Sequence, residues 1–274
     1  HGIRTAAARA FSNYREACAY VESLNDAPCV VKGSGLAAGK GVIVCNGTRD
    51  ALEALDIAMV RRDFGSAGDT VLVEQRLYGW ETSCHAFCDG KTAVMMPFSS
   101  DYKRAQDGDK GLNTGGVGVY SPSKLVTADM VEQTRSEVVE RTMQGMIEEG
   151  APFNGTLYPG LMVSADGTYV IEYNARFGDP ETQALMMRLE TDLFEVCHAA
   201  AQQRLHEIDV RWRTDAAVGV VLCSAGYPAT YKLGYVIRGL DAVDPGVQVF
   251  HAGTKDDERG VVTNGGRVLT VVAT

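Results

Sequence analysis

The sequence predicts an α/β (α+β) protein, a body of interleaved strands and helices over residues 1–204 followed by a smaller β-rich domain over 205–274. Three observations carry that reading. Short apolar runs of strand length alternate with stretches of helical apolar spacing through the body. Two Asp-Gly dipeptides, Asp89-Gly90 and Asp166-Gly167, each join two apolar runs, a strong short-range hairpin signal. From Ala216 the texture changes to short strand-like runs separated by turns, so a boundary is expected between 205 and 215.

Taken in order, Tyr14 to Leu24 reads as a helix and Ala27 to Lys32 as a buried strand. Gly41 to Cys45 is a second strand, so the glycine-rich segment between them joins strand to strand. Thr48 is expected to cap a helix over Arg49 to Val60, its hydroxyl accepting from an amide that the first turn leaves open. Thr70 to Gln75 is a strand, and ETSCHAFC (81–88) pairs with KTAVMM (91–96) across Asp89-Gly90. A loop-rich stretch, Pro97 to Pro122, precedes a helix from Thr127 to Glu148, whose Val131, Val138, Val139, Met143, Met146 and Ile147 recur at helical spacing as core positions. TLYPGLMV and TYVIEYN form a second hairpin around Asp166-Gly167, followed by helices Glu181 to Leu189 and Asp192 to Arg204. In the tail, AAVGVVLC, YVIRGL, QVFHAG and RVLTVV read as strands.

Composition narrows the function classes. Hydrophobic residues are 45% and charged residues 22% of the 274, which argues against long disordered tracts. With 26 Lys and Arg against 35 Asp and Glu, the net charge of −9 disfavours duplex DNA, which needs clustered cations, so no nucleic-acid partner is expected. No apolar run approaches the ~18 residues of a membrane span, so no membrane partner is expected either. Seven scattered cysteines without a C-x-x-C suit a reducing compartment, hence a cytoplasmic location. The segment CHAFC (84–88) lacks the ligand count of a zinc site, and buried thiols are the expectation there.

The 30 glycines exceed the usual ~7% of a chain, and they cluster. Gly33, Gly35, Gly39 and Gly41 crowd one window, and Gly108, Gly111, Gly115, Gly116 and Gly118 another. Glycine backbone can approach an anion closely and turn its amides inward. Lys32 and Lys40 flank the first window and supply charge for a polyphosphate. A P-loop is excluded, because Gly41 rather than Ser or Thr follows Lys40 and a strand rather than a helix lies behind. What remains is a hairpin tip folded over phosphates, or a plain flexible hairpin.

In VIEYNARFGDPET (170–182), Glu172 and Asn174 share one face of a strand, and two oxygen donors so spaced suit Mg²⁺. Arg176 lies just beyond, where its fork could hold a phosphate or a developing acyl phosphate. Asp179 and Glu181 flank Pro180, which is placed at the first helical position. The alternative is a capped helix with solvated acids. Between Ser99 and Pro122, Asp101, Lys103, Arg104, Asn113 and Thr114 crowd a loop longer than packing requires. Glu74 and Glu81 flank Leu77 and Gly79 in VEQRLYGWE, a strand end whose backbone could meet a base while Glu81 accepts ribose hydroxyls.

Together these segments resemble the ATP-grasp ligases, and within them the phosphoribosylamine–glycine ligase family. The resemblance runs through VVKGSGLAAGKGVIV, the Glu74/Glu81 segment, DYKR, GLNTGGVGVYSP, LYPGLM, EYNARFGDPETQ, AGYPATY, VFHAGT and VTNGGRVL, in the family's order. It implies an ATP-grasp fold of two α+β subdomains clasping ATP, about 1–76 and 77–204, then the smaller β-rich C-terminal domain. It also implies that the family's N-terminal domain is absent and that the C-terminal domain is incomplete. The chain then reads as a fragment of a larger polypeptide, in eukaryotic forms fused to aminoimidazole ribonucleotide synthetase.

Carried over by position, the resemblance implies ATP-binding roles for Lys32, Gly35, Gly39, Lys40, Gly41, Glu74, Leu77 and Glu81. It implies metal ligands Glu172 and Asn174, for Mg²⁺ or Mn²⁺. Asp101, Lys103, Asn113, Thr114, Gly115, Gly116, Arg176 and Asp179 fall where glycine and 5-phosphoribosylamine would be held, with Arg176 and Lys40 in catalytic roles. The implied reaction joins glycine to 5-phosphoribosylamine at the expense of ATP through glycyl phosphate, in purine biosynthesis. Tyr102, Val117 and Pro159 stand where the family usually has His, Met and Ala. A catalytically incomplete nucleotide-binding fragment, and another ATP-grasp carboxylate–amine ligase, remain open as alternatives.

Overall fold

The computed structural model describes every residue except Leu36, Ala38, Gly39, Lys40 and Asp109. The chain forms two compact units, Thr5–Gly79 and, together, His1–Arg4 with Trp80–Thr274. The first unit contains β1 (Ala8–Phe11), α1 (Tyr14–Ser23), β2 (Cys29–Gly33), β3 (Val42–Cys45), α2 (Thr48–Leu55) and β4 (Val71–Gln75). Its four strands form one antiparallel sheet in the order β1-β4-β2-β3. Asn13 caps α1, its side-chain Oδ1 accepting from the Arg15 and Glu16 amides at 2.9 and 3.3 Å. The apolar stripes of α1 (Ala17, Val21) and α2 (Ala51, Ala54, Leu55) bury against Val31, Val71 and Val73 on one sheet face.

Thr48 does not cap α2. Gly47 holds the cap position, and the Thr48 amide donates to the Asp26 carboxylate at 2.8 Å, so an acid from a preceding turn does the work expected of the hydroxyl. The α-helical hydrogen bonding also stops at Leu55 and continues as a π-helical turn, Asp56–Val60.

The second unit holds three antiparallel sheets. β5 (Trp80–Ser83), β6 (Ala86–Asp89) and β7 (Ala93–Met95) join β10 (Asn154–Ser164) and β11 (Gly167–Asn174) in a sheet whose main path is β11-β10-β6-β7, with β5 also on β10. The expected strand 81–88 is therefore two strands, interrupted at Cys84 and His85. Both faces of this segment are buried, so no polar-apolar alternation marks the break. At the Asp89-Gly90 turn Gly90 takes φ +89°, and the buried Asp89 carboxylate accepts from the amides of Lys91, Thr92 and Leu205.

Pro97–Pro122 is not loop-rich. β8 (Ser100–Gln106) and β9 (Lys110–Ser121) form a long hairpin, and β9 is hydrogen-bonded on its other edge to β12 (Ala217–Cys223). Glycine and polar residues have low strand propensity, and two-sided pairing overrides it. The helical stretch after it is α3 (Ala128–Thr134), a π-helical turn (Arg135–Val139) and α4 (Glu140–Glu148), with Thr127 as cap. Two further helices, α5 (Glu181–Arg188) and α6 (Leu193–Ala201), pack between strands; Pro180 is the residue before α5, one position earlier than expected.

In the tail, β13 (Val247–His251) and β16 (Arg267–Ala273) extend the third sheet to the order β13-β16-β12-β9-β8, and β14 (Thr254–Asp257) pairs with β15 (Gly260–Thr263). The run YVIRGL contributes one bridge, Val236 to Val262, instead of a strand. The tail's strands thus share a sheet with residues 100–121. All seven cysteines are free thiols, with Cys84 and Cys88 fully buried. Among the described residues no helix is long and apolar enough to cross a membrane.

Candidate active site

In the Thr5–Gly79 unit, Lys32 on β2 and Glu74 on β4 form an ion pair of 2.7 Å, both side chains mostly covered. The strand register sets this, because Val30 lies opposite Glu74 and Lys32 opposite Leu72 on the neighbouring strand. Gly33 and Gly35 pack against Ala67, where an added Cβ would sit 3.0 Å from its backbone atoms, so close packing favours glycine at both. The hairpin is closed by the Gly33 amide donating to Gly41 O at 2.8 Å. Gly35 is exposed, Gly41 buried and Leu77 half-buried; Gly39 and Lys40 lie outside the described residues.

The second unit gathers the remaining candidates. Alternation on β8 puts Asp101 and Lys103 on one side, and the Lys103 ammonium reaches the Glu81 carboxylate of β5 at 2.9 Å. Burial alone would lower the Lys103 pKa, but Asp101, Glu81 and Glu172 outweigh it and hold the ammonium protonated beyond its ordinary range. Thr114 donates to the Lys103 carbonyl at 2.9 Å and accepts from the Gly116 amide at 3.0 Å, tying β9 to β8 at this point. Asn113 is exposed opposite Arg104.

Burial pushes the Asp101 carboxyl up to about 6, with Glu181 and Glu81 adding to the rise and Lys103 opposing it. A raised acid binds its proton more tightly folded than unfolded, so wild-type stability falls as pH rises from 3.8 to about 6 on its account. Asp101→Asn removes that slope. The variant is expected to gain stability relative to wild type across that window, read from urea melts at a series of pH values. A difference that does not vary with pH would show that Asp101 titrates normally.

Glu172 and Asn174 of β11 point to one side, with Asn174 Nδ2 3.2 Å from Glu172 Oε1. Between them Tyr173 takes the opposite face and hydrogen-bonds Thr142 of α4 at 2.7 Å, which fixes the strand's rotation. Gly160, opposite Glu172 in the ladder, leaves room for its side chain: a Cβ there would sit 3.2 Å from Glu172 Cγ. Among the described residues no group of three or more His, Cys, Asp or Glu is placed to hold a metal. One carboxylate and one amide oxygen nevertheless fit Mg²⁺, which keeps most of its shell as water and phosphate oxygens.

After β11 the chain turns through Arg176, Phe177 and Gly178 into α5. Arg176 is exposed, donates to Phe177 O at 2.9 Å and lies 6.0 Å over the Tyr158 ring. Asp179 is exposed, whereas Glu181 is only 2% exposed, so the solvated-acid alternative fails for it. Tyr158 and Ser83 hydroxyls both donate to Glu181. His85, fully buried, stacks on Tyr158 at 4.0 Å and accepts from the Gly178 amide at 3.1 Å. Burial, then the Arg176 charge, drives its pKa down to about 3, so the ring is neutral in the folded protein. A Cβ at Gly178 would lie 2.6 Å from Glu181 and 2.7 Å from His85, which is why that turn needs glycine.

Ser83, His85, Tyr158 and Glu181 were not among the expected site residues. Their signal is tertiary: apolar neighbours hide them and no spacing links residues this far apart. Arg267 and Tyr227 were also missed, although both lie in segments that carry the family resemblance. The Gly115 and Gly116 amides already donate within the chain, to the Tyr227 and Thr114 hydroxyls, so neither is a free anion donor.

The family model described as phosphoribosylglycinamide synthetase, ATP-grasp (A) domain, matches residues 1–182, and that of its C domain matches residues 217–274. A phosphoribosylamine–glycine ligase of Brucella melitensis is 48% identical over 274 residues, covering 99% of this chain and 64% of that protein. The trifunctional purine biosynthetic protein adenosine-3 of Gallus gallus is 48% identical over 275 residues, covering 100% of this chain and 27% of that protein. The crystal structure of phosphoribosylamine–glycine ligase from Thermotoga maritima matches with a TM-score of 0.86 at 31% identity, covering 100% of this chain and 68% of that one. The chain thus spans less than two thirds of the length of these two curated relatives. On this match, and with the mixed antiparallel α/β fold expected of it, the chain belongs to the phosphoribosylglycinamide synthetase family of ATP-grasp proteins.

Proposed function

We propose that the chain carries the ATP-dependent ligation of glycine to 5-phosphoribosylamine, giving glycinamide ribonucleotide, ADP and phosphate. The observation that carries this reading is the grouping, within one compact unit, of the Glu172–Asn174 oxygen pair with the Lys103, Glu81 and Asp101 cluster. In the reaction a glycine carboxylate oxygen bonds to the γ-phosphorus as the bond to ADP breaks. The amine nitrogen then bonds to the glycyl carbonyl carbon, phosphate leaves and the nitrogen loses a proton. Lys103, held cationic, and the exposed Arg176 fork are suited to neutralise substrate oxyanions. Glu172 and Asn174 would hold Mg²⁺ or Mn²⁺, which when bound supplies charge neutralisation to nucleotide phosphates. Lys32 with Glu74 and Leu77, together with Gly35, Gly39, Lys40 and Gly41, supplies nucleotide contacts in the same reading, and Glu81 a ribose contact. In the same reading Asn113 and Asp179 meet substrate with their side chains, while Thr114, Gly115 and Gly116, whose polar groups are already bonded within the chain, shape the wall of the site.

The division into 1–204 and 205–274 is likewise proposed: the family models leave residues 183–216 unmatched, and the element texture changes there. Seven free thiols support a cytoplasmic location. The match to a trifunctional protein supports fusion to aminoimidazole ribonucleotide synthetase in a longer polypeptide. The shared length of 64% favours a second reading, in which turnover needs the remainder of the relatives' length.

The test is ADP release by this chain and by a version extended to the relatives' full length. Release that requires glycine and 5-phosphoribosylamine together is expected from the extended protein. Release from the short chain as well removes the second reading. Turnover with another carboxylate and without glycine would overturn the proposal.

A further inference from the structure

Two segments that the proposed function uses, Gly115–Gly116 on β9 and Asp179 before α5, are joined by one side chain from the far end of the chain. Arg267, at the start of β16, donates from Nη1 to Gly115 O at 2.8 Å, to Asp179 O at 2.7 Å and to Gly116 O at 3.4 Å. Its Nη2 donates to the Asp179 carboxylate at 2.9 Å. The same tail supplies Tyr227, whose hydroxyl accepts from the Gly115 amide at 3.0 Å. Gly115 is therefore gripped at both polar groups, its N–H by Tyr227 and its C=O by Arg267. The packing is close enough to dictate sequence: a Cβ at Gly115 would lie 2.9 Å from Arg267 Cζ, and one at Gly266 would lie 2.3 Å from the Tyr227 ring.

We propose that Arg267, seconded by Tyr227, is a positioning residue that sets the Gly115–Gly116 backbone and the Asp179 carboxylate at a fixed separation, and so shapes the site for glycine and phosphoribosylamine. The inference rests on the proposed ligase reading for its substrates, not for its geometry. A planar guanidinium presents its donors in a fixed fork, so it fixes distances among four acceptors on three residues in a way a lysine ammonium cannot. Arg267 itself needs no contact with substrate. Its effect passes through Asp179 and the β9 backbone, and small displacements of such groups are costly because catalysis depends on alignment.

The experiment uses the protein extended to the relatives' full length, with Arg267→Ala, Arg267→Lys and Tyr227→Phe. For Arg267→Ala the KM for glycine, for phosphoribosylamine or for both rises about tenfold or more, while the KM for ATP stays within about twofold. Added guanidinium ion restores part of the loss, and Arg267→Lys does so poorly. Tyr227→Phe, which removes a single oxygen and leaves the ring packed, gives a smaller rise in the same KM values. Unchanged KM values, or an equal rise for ATP, overturn the proposal. Hydrogen exchange at the Gly115 amide reads the clamp without turnover: faster exchange in Tyr227→Phe is expected, and unchanged exchange refutes it. If wild type shows no glycine-dependent turnover, the ligase reading fails while the exchange result still judges the clamp.

Discussion

Glu172→Ala is expected to lower Mg·ATP-dependent turnover by about a hundredfold or more while the fold survives, since each 1.36 kcal/mol of lost transition-state stabilisation is tenfold in rate. Glu172 is exposed near the end of β11 and its side chain accepts from the neighbouring Asn174 amide, so removing it costs the fold about 0.5 kcal/mol or less. The strand keeps its orientation because the Tyr173–Thr142 hydrogen bond on the other face is untouched. Turnover and the magnesium dependence of the rate should fall together, with a thermal midpoint close to wild type. Glu172→Asp keeps the charge but withdraws it by one methylene, and an intermediate rate is expected. Wild-type turnover by the alanine variant would overturn the proposed metal role of Glu172.

The second large effect is on stability. Gly116 has φ +106°, a region nearly reserved for glycine, and a Cβ there would lie 2.5 Å from Pro180 Cδ. Backbone strain of about 1–3 kcal/mol and overpacking of about 1–3 kcal/mol act together in Gly116→Ala, since the obstacle is a proline ring in a packed turn. Urea denaturation should show a loss of roughly 2–6 kcal/mol. Relief of the clash must move Pro180, and with it Asp179, so the residual folded protein should also bind substrate poorly. Gly108→Ala at the same hairpin's tip is the control: its nearest obstacle is the flexible end of Lys110 at 3.9 Å, leaving only the strain of φ +72°. Equal losses for the two variants would refute the role given to Pro180.

Much of this fold could be read from local pattern. Helices α1, α3–α4, α5 and α6, and the hairpins at Asp89-Gly90 and Asp166-Gly167, follow from apolar periodicity and turn chemistry, which act over a few residues. The hairpin of β8 and β9 could not be read so, because its strand character comes from pairing with β12 rather than from its own glycines and polar residues. Thr48 likewise has the right chemistry for a cap, but Asp26 reaches the position first. For the site, the i,i+2 geometry of Glu172–Asn174 was legible because a strand's alternation is fixed, whereas the shared side of Asp101 and Lys103 depends on β8, whose strand character the sequence does not announce. The linkage of Lys103 to Glu81 and the burial of Glu181 depend on which strands become neighbours, and that information is not local.

The two-sided pairing of β9 bears on how the chain is made. Its partner β12 begins about a hundred residues later, and β16, which pairs with β12 and brings Arg267, begins about 150 residues after β9. Contacts this distant in sequence form late, since the loop between them must first be closed. During synthesis the β8–β9 hairpin would therefore wait with an open edge of unpaired amides and carbonyls, a template for pairing with other nascent chains. The Thr5–Gly79 unit has no such delay, because its four strands find all their partners within its own span. The sheet that carries Asp101 and Lys103 is thus the part of the chain whose pairing spans the longest sequence separation.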